Sequence, residues 1–171
     1  MKKILFIVAG RGFRLVEYEK PKEVLENADM KVYTGSDVEG EAESAESTKV
    51  KVDVTLEDIK ANDYDGIFLV GGPGALEHLD NQKVYNIMTQ AEEAGKFYGA
   101  ICISPRILAK AGVLENKKAT GWNGDRKLEG ILNEYGASYK HKGVVIDGNL
   151  ITGSGPDAAI LFGETIAKQL S

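Results

Sequence analysis

Along this chain, short continuous apolar runs alternate with segments whose apolar positions recur every three or four residues. The run KILFIVAG, residues 3–10, reads as a buried first strand, followed by a helix near 16–28 that Pro21 kinks or begins. KVYTG at 31–35 predicts a second strand. The acidic, small-residue stretch 36–48 is expected to be a solvated loop, and KVKVDV at 49–54 an edge strand or hairpin arm. Thr55 can cap a short helix over 56–61. DGIFLVGG at 65–72 is a strongly apolar strand running into a glycine turn, and a helix over 81–95 follows. FYGAI, 97–101, is the next buried strand. After it, Ser104 reads as an N-cap, Pro105 as a first helical residue and Gly112 as a helix end.

The rhythm then changes. KATGW at 118–122 predicts a short strand and loop, and 124–135 a helix; Asp147-Gly148 marks a hairpin within 143–152. A last helix over 157–170 carries a stripe with Phe162, Ile166 and Leu170. Strands alternating with helices of this length predict an α/β fold, a mostly parallel sheet covered on both faces. No repeat or linker divides residues 1–171, which read as one domain. In such sheets ligands bind beyond the carboxyl ends of the strands. Three of those ends carry informative residues: AGRGFRLVE, GGPGA and CIS.

Composition narrows the chemistry. A net charge of −5 without a basic cluster argues against nucleic-acid or anionic-membrane partners. One cysteine excludes an internal disulfide framework and suits a reducing compartment, so a cytoplasmic location is expected. With two histidines far apart in sequence, it also makes a dedicated zinc site improbable. MKKILFIVAGRG imitates a signal peptide, but its apolar run is short and lacks a clear cleavage site. No segment is long enough to span a membrane. AGRGFRL begins like a dinucleotide fingerprint, yet Leu15 holds the third glycine position and no acid ends the second strand. GGPG, 71–74, lacks the lysine and hydroxyl of a nucleotide-binding loop; it is a tight turn or a backbone cradle for an anion. No metal or organic cofactor is expected.

Cys102 stands between FYGAI and the helix start, where a nucleophile elbow holds its residue, and Ala100 and Ser104 supply the small neighbours such an elbow needs. A lone cysteine is otherwise a small buried hydrophobe. A helix N-terminus directly after it would favour the thiolate, so a pKa below the free value of about 8.5 is expected. Glu17, at the start of the first helix, is the carboxylate placed to answer it. In a parallel sheet the first and fourth strands can be neighbours, which would bring the two residues together.

The ordered set GF..VE (12–17), GIFLVGGPGA (66–75), AIC.SP..LA.AG.L (100–114), ATGW (119–122) and VVIDGNLITGSGP (144–156) resembles the DJ-1/PfpI superfamily over nearly the whole chain. The resemblance implies a flavodoxin-like three-layer α/β sandwich, usually dimeric or larger. It implies Cys102 as the elbow nucleophile, Glu17 as its partner and the backbone N–H groups of Gly72 and Ile103 as an oxyanion hole. Trp122 and Pro156 are the implied pocket residues. Some positions depart from the pattern: Ile103 stands where the protease-like branch has a histidine, and Trp122 where the deglycase branch has one. Arg14 and Leu15 replace an acidic pair. His78 and His141 read as surface residues. The resulting expectation is a Cys102–Glu17 site acting on a small electrophile, either an α-oxoaldehyde such as methylglyoxal or peroxide. The alternatives are a PfpI-like peptidase or amidase, and a non-enzymatic redox sensor.

Overall fold

The computed structural model describes residues 1–171. Its first half contains β1 (Lys3–Val8), β2 (Arg11–Phe13), α1 (Leu15–Asn27), β3 (Lys31–Ser36), β4 (Glu41–Ser44), β5 (Lys49–Lys51), β6 (Val54–Thr55) and β7 (Gly66–Leu69). Then come α2 (Ala75–Leu79), α3 (Gln82–Glu93), β8 (Phe97–Ile101), α4 (Pro105–Ala111), β9 (Lys118–Ala119) and α5 (Leu128–Glu134). The chain ends with β10 (Ser138–Tyr139), β11 (Val144–Asp147), β12 (Leu150–Gly153) and α6 (Ala159–Leu170).

The apolar runs become the middle of a seven-stranded sheet in the order β11-β12-β8-β7-β1-β3-β6. Every neighbouring pair is parallel except β11–β12, the hairpin turned at Gly148. This is the mostly parallel α/β arrangement that the alternating pattern predicts, and the flavodoxin-like one that the resemblance implies. Strands buried on both faces need no polar side, which is why Ile4 to Val8 and Ile67 to Val70 are apolar throughout. Phe6 and Phe68 stack edge-to-face on one side of the sheet, and Tyr18 of α1 and Phe162 of α6 close over them. Tyr18 shares a buried 2.6 Å hydrogen bond with the Thr34 hydroxyl, satisfying the one polar atom it brings into that layer.

Pro21 neither begins nor ends α1. It lies inside the helix and is buried, with its ring facing Gly163 of α6; a Cβ at Gly163 would come within 2.7 Å of Pro21 Cα. The ring has no N–H, so the Glu17 carbonyl loses its helical donor. The acidic stretch 36–48 is not all loop. Alternating burial at Ala42 and Ser44 makes β4 the centre of a small sheet, β2-β4-β5. The run 49–54 divides: β5 is the hairpin arm and the edge strand is β6. In place of one helix over 56–61 stand two short 3-10 turns, Leu56–Asp58 and Ala61–Asp63. The sequence pattern missed α2 and β10, the latter pairing with β9 in a two-stranded parallel sheet. No helix is long and apolar enough to cross a membrane.

Successive strands step away from β1 toward β3 and then back through β7 to β8. The strand order therefore reverses beside β1, and the crevice at that reversal opens above the carboxyl ends of β1 and β7.

Candidate active site

Cys102 follows the last residue of β8 and has φ 64, in the left-handed region. For a residue with a Cβ this conformation costs about 1–2 kcal/mol, and it lifts the side chain off the end of the strand. Ala100 and Ser104, the small neighbours, are fully buried. Gly112 ends α4 with φ 84. Ser104, however, does not cap the helix. It is helical itself, and its hydroxyl donates to the Val70 carbonyl at 2.8 Å, tying the elbow to the end of β7.

The first and third informative strand ends are not neighbours, because β7 lies between β1 and β8. Glu17 nonetheless reaches Cys102 by leaning over the end of that intervening strand. Its Oε1 accepts the Gly71 N–H at 3.1 Å, and the Arg14 N–H donates to the Gly71 carbonyl at 3.0 Å. A Cβ at Gly71 would sit 2.6 Å from Glu17 Oε1 and 2.7 Å from Cys102 Cβ, so Gly71 is the small point at which all three meet. The segment Gly10–Arg14 and the loop Gly71–Gly74 run backbone to backbone. Gly72 has φ 118, and a Cβ at Gly74 would overlap the Arg11 carbonyl. The glycines of AGRGF and GGPG thus serve each other's close approach, in keeping with the tight-turn reading of GGPG.

Glu17 is completely buried, and its Oε2 has no hydrogen-bond partner. Burial pushes its carboxyl up from 4.5 to about 7, against the pull of the neighbouring thiol and the Gly71 N–H. The thiol moves the opposite way from the expectation. Burial first, then the Glu17 carboxylate, push it up to about 12, and the Ile103 N–H offsets only part of this. The helix starts at Pro105 as expected, so the correction comes from burial of the sulfur and from the Glu17 carboxyl beside it, which outweigh the one N–H that reaches it. The two groups repel each other's charge, and the pair therefore carries one negative charge long before it carries two.

The thiol opens into a cavity of about 380 Å³ lined by Arg14, Gly72, Pro73, Leu76, Ile103 and Trp122. Of the expected oxyanion donors, the Gly72 N–H has no acceptor within the protein and the Ile103 N–H faces the Cys102 sulfur. Trp122 is on the wall. Pro156 is not; it is exposed at the start of a 3-10 turn, and its neighbour Gly155 is the residue close to the sulfur. Neither histidine lines this cavity. His78 bonds to Asp37 at 2.6 Å beside another cleft, and His141 is exposed next to Tyr139. No group of three or more His, Cys, Asp or Glu is arranged to hold a metal ion.

Sequence reasoning passed over Arg106 and Asp125. Arg106 is buried on α4 and clamps Asp125 through two bonds of 3.0 and 2.8 Å. A charged residue inside the apolar helix start PRILA was the available signal.

Comparison with known proteins reaches the same architecture. The chain is 38% identical to an uncharacterised protein of Methanocaldococcus jannaschii, over 98% of this chain and 82% of that one. It is 32% identical to the deglycase PfpI of Pyrococcus furiosus, over 90% of each. The crystal structure of Drosophila melanogaster DJ-1beta superposes with a TM-score of 0.88 at 31% identity, covering 99% of this chain and 90% of that one. The model of the DJ-1/PfpI family matches residues 2–169, and with an elbow cysteine at the switch point of the matching fold, this chain belongs to that family.

Proposed function

We propose that this protein converts small α-oxoaldehydes to 2-hydroxy acids through Cys102, with Glu17 carrying the protons. The observation that carries the reading is a strained elbow thiol opening to a cavity beside a buried carboxyl with one free oxygen. A carboxyl with a pKa of about 7 is half ionised near neutrality, where a general acid–base group works best.

In this scheme the thiol proton passes to the Glu17 carboxylate as sulfur bonds to the aldehyde carbon. The carbonyl electron pair moves to oxygen, where the Gly72 and Ile103 N–H groups receive it; such donors are worth about 10²-fold each. Glu17 returns the proton and a hemithioacetal stands on Cys102. Glu17 next removes the hydrogen on the former aldehyde carbon as a proton and delivers a proton to the adjacent ketone carbon, while the hemithioacetal hydroxyl gives its proton to the former ketone oxygen, giving a thioester of a 2-hydroxy acid. Water adds to that carbonyl, the C–S bond breaks, and the thiol recovers its proton. One water is consumed, with no external oxidant.

That a relative carries the name deglycase supports an aldehyde-directed enzyme. The peptidase alternative lacks the histidine of a Cys–His dyad, because neither histidine lines the cavity. The test is turnover of methylglyoxal to lactate by the purified protein. Activity is expected in wild type and lost in Cys102→Ser; equal turnover by both would overturn the scheme.

A further inference from the structure

Trp122 forms one wall of the thiol cavity, yet it is 39% exposed, so burial alone does not hold it. It sits in the irregular segment between β9 and α5. Its backbone N–H donates to the Cys102 carbonyl at 2.6 Å, and a Cβ at Gly124 would press on the indole at 2.5 Å. The guanidinium of Arg106 lies over the ring, 5.5 Å from its centroid.

Arg106 is only 7% exposed and makes most of its bonds in one place. Its two terminal nitrogens bond both Asp125 oxygens, and one also donates to the Trp122 carbonyl at 3.1 Å; its Nε has no partner. A buried guanidinium needs a counter-charge, and a bidentate carboxylate fixes its plane as well as its position. Asp125 thus orients the guanidinium, which grips both the backbone and the ring of Trp122.

We propose that Arg106 and Asp125 are positioning residues, an ion-pair latch that holds Trp122 as the wall limiting which electrophiles reach Cys102. With Leu76 and Pro73 also lining the cavity, the closed wall leaves an apolar slot that accepts slim electrophiles and turns away broad ones. Arg106 holds the Asp125 carboxyl down to about 2, so the latch stays charged throughout the ordinary pH range. The inference rests on Cys102 as the reacting group, as in the function proposed above.

The test needs no turnover. Alkylation of Cys102 is timed with slim iodoacetamide and broad N-phenylmaleimide, and acrylamide quenching is read from Trp122, the only tryptophan. Asp125→Ala, or Asp125→Asn if the first does not fold, is expected to raise the maleimide-to-iodoacetamide rate ratio by about tenfold, the factor that losing a charge-assisted hydrogen bond implies. Quenching should increase with it. Trp122→Ala should raise the ratio alone, and adding Asp125→Ala to it should change nothing further. Lys110→Ala, which removes a lysine of the same helix from its pair with Asp80 at the end of α2, should leave the ratio at the wild-type value. A wild-type ratio and wild-type quenching in Asp125→Ala would overturn the latch. So would an equal rise of the ratio in the Trp122→Ala background. A Cys102 inert to iodoacetamide in wild type would instead overturn the reactive thiol, and quenching alone would then decide the latch.

Discussion

Replacing Glu17 by Gln should change how the stability of the protein depends on pH. The carboxyl is raised from 4.5 to about 7 in the folded state, while the unfolded chain keeps the ordinary value. Below the unfolded value the group is protonated in both states and costs nothing. As pH rises through the folded value, the unfolded chain gives up its proton readily while the folded protein must ionise a buried group. The protein therefore loses stability between those limits, by about 3 kcal/mol at 1.36 kcal/mol per unit. Full burial of Glu17 leaves little solvent screening to reduce that figure. Urea unfolding near pH 4 and near pH 8, in wild type and Glu17→Gln, isolates the contribution, because Gln cannot titrate. Wild type should lose about 3 kcal/mol more than the variant over that interval. The comparison rests on the difference between two pH profiles, so any constant effect of the amide cancels. Parallel profiles would refute the raised carboxyl, and the proton-carrier role of Glu17 with it.

Iodoacetamide labelling of Cys102 should still be accelerating with pH above the free-thiol value of about 8.5, and a plateau below that value would contradict the burial argument. Gly71→Ala should lower stability by about 2 kcal/mol through overpacking and slow Cys102 labelling, because its Cβ would push Glu17 and Cys102 apart; chemical denaturation and labelling of the same sample check both. Cleavage of fluorogenic peptides should be negligible, since neither histidine lines the cavity to form a Cys–His dyad with Cys102, and steady cleavage abolished by Cys102→Ser would contradict this.

Legibility in the sequence followed the range of the forces at work. The central strands were readable because burial on both faces leaves continuous apolar runs such as Ile4–Val8, a signal contained within each strand. The elbow was readable for the same reason, from Ala100, Ser104 and Pro105 around Cys102. β4 was hidden because its register rests on one small apolar residue, Ala42, among charges, and β9 and β10 are too short to show a period. At the site, what could not be read locally was burial. The thiol was assigned the electrostatics of its own helix start, whereas its actual surroundings are Glu17 of α1 and Gly71 beyond the end of β7, both distant in sequence. The hydroxyl of Ser104 shows the same limit. Its type suits a cap, and only the packing of β7 against β8 decides that Val70 receives its bond. The Arg106–Asp125 pair spans 19 positions with no periodic mark.

Two features of the site work against the stability of the fold, and together they argue that the site has a use. Cys102 holds a backbone conformation that a glycine would adopt without strain, and Glu17 places a carboxyl where an apolar side chain would pack at no electrostatic cost. Each of these costs is a sizeable share of the roughly 5–15 kcal/mol by which domains are stable. The fold does not require them: the switch point between β1 and β7 would form with glycine at the elbow and leucine in the helix. The left-handed backbone and the buried acid meet at one sulfur atom at the floor of one cavity, with the Gly72 and Ile103 N–H groups beside it. Asp29, Ser47, Asn116 and Arg126 also hold positive φ, so it is the meeting of that conformation with a buried carboxyl and a nucleophile, not the conformation alone, that has a chemical reading. The elbow keeps the sulfur exposed on one side, while the carboxyl beside it can take up and return its proton without leaving the protein interior.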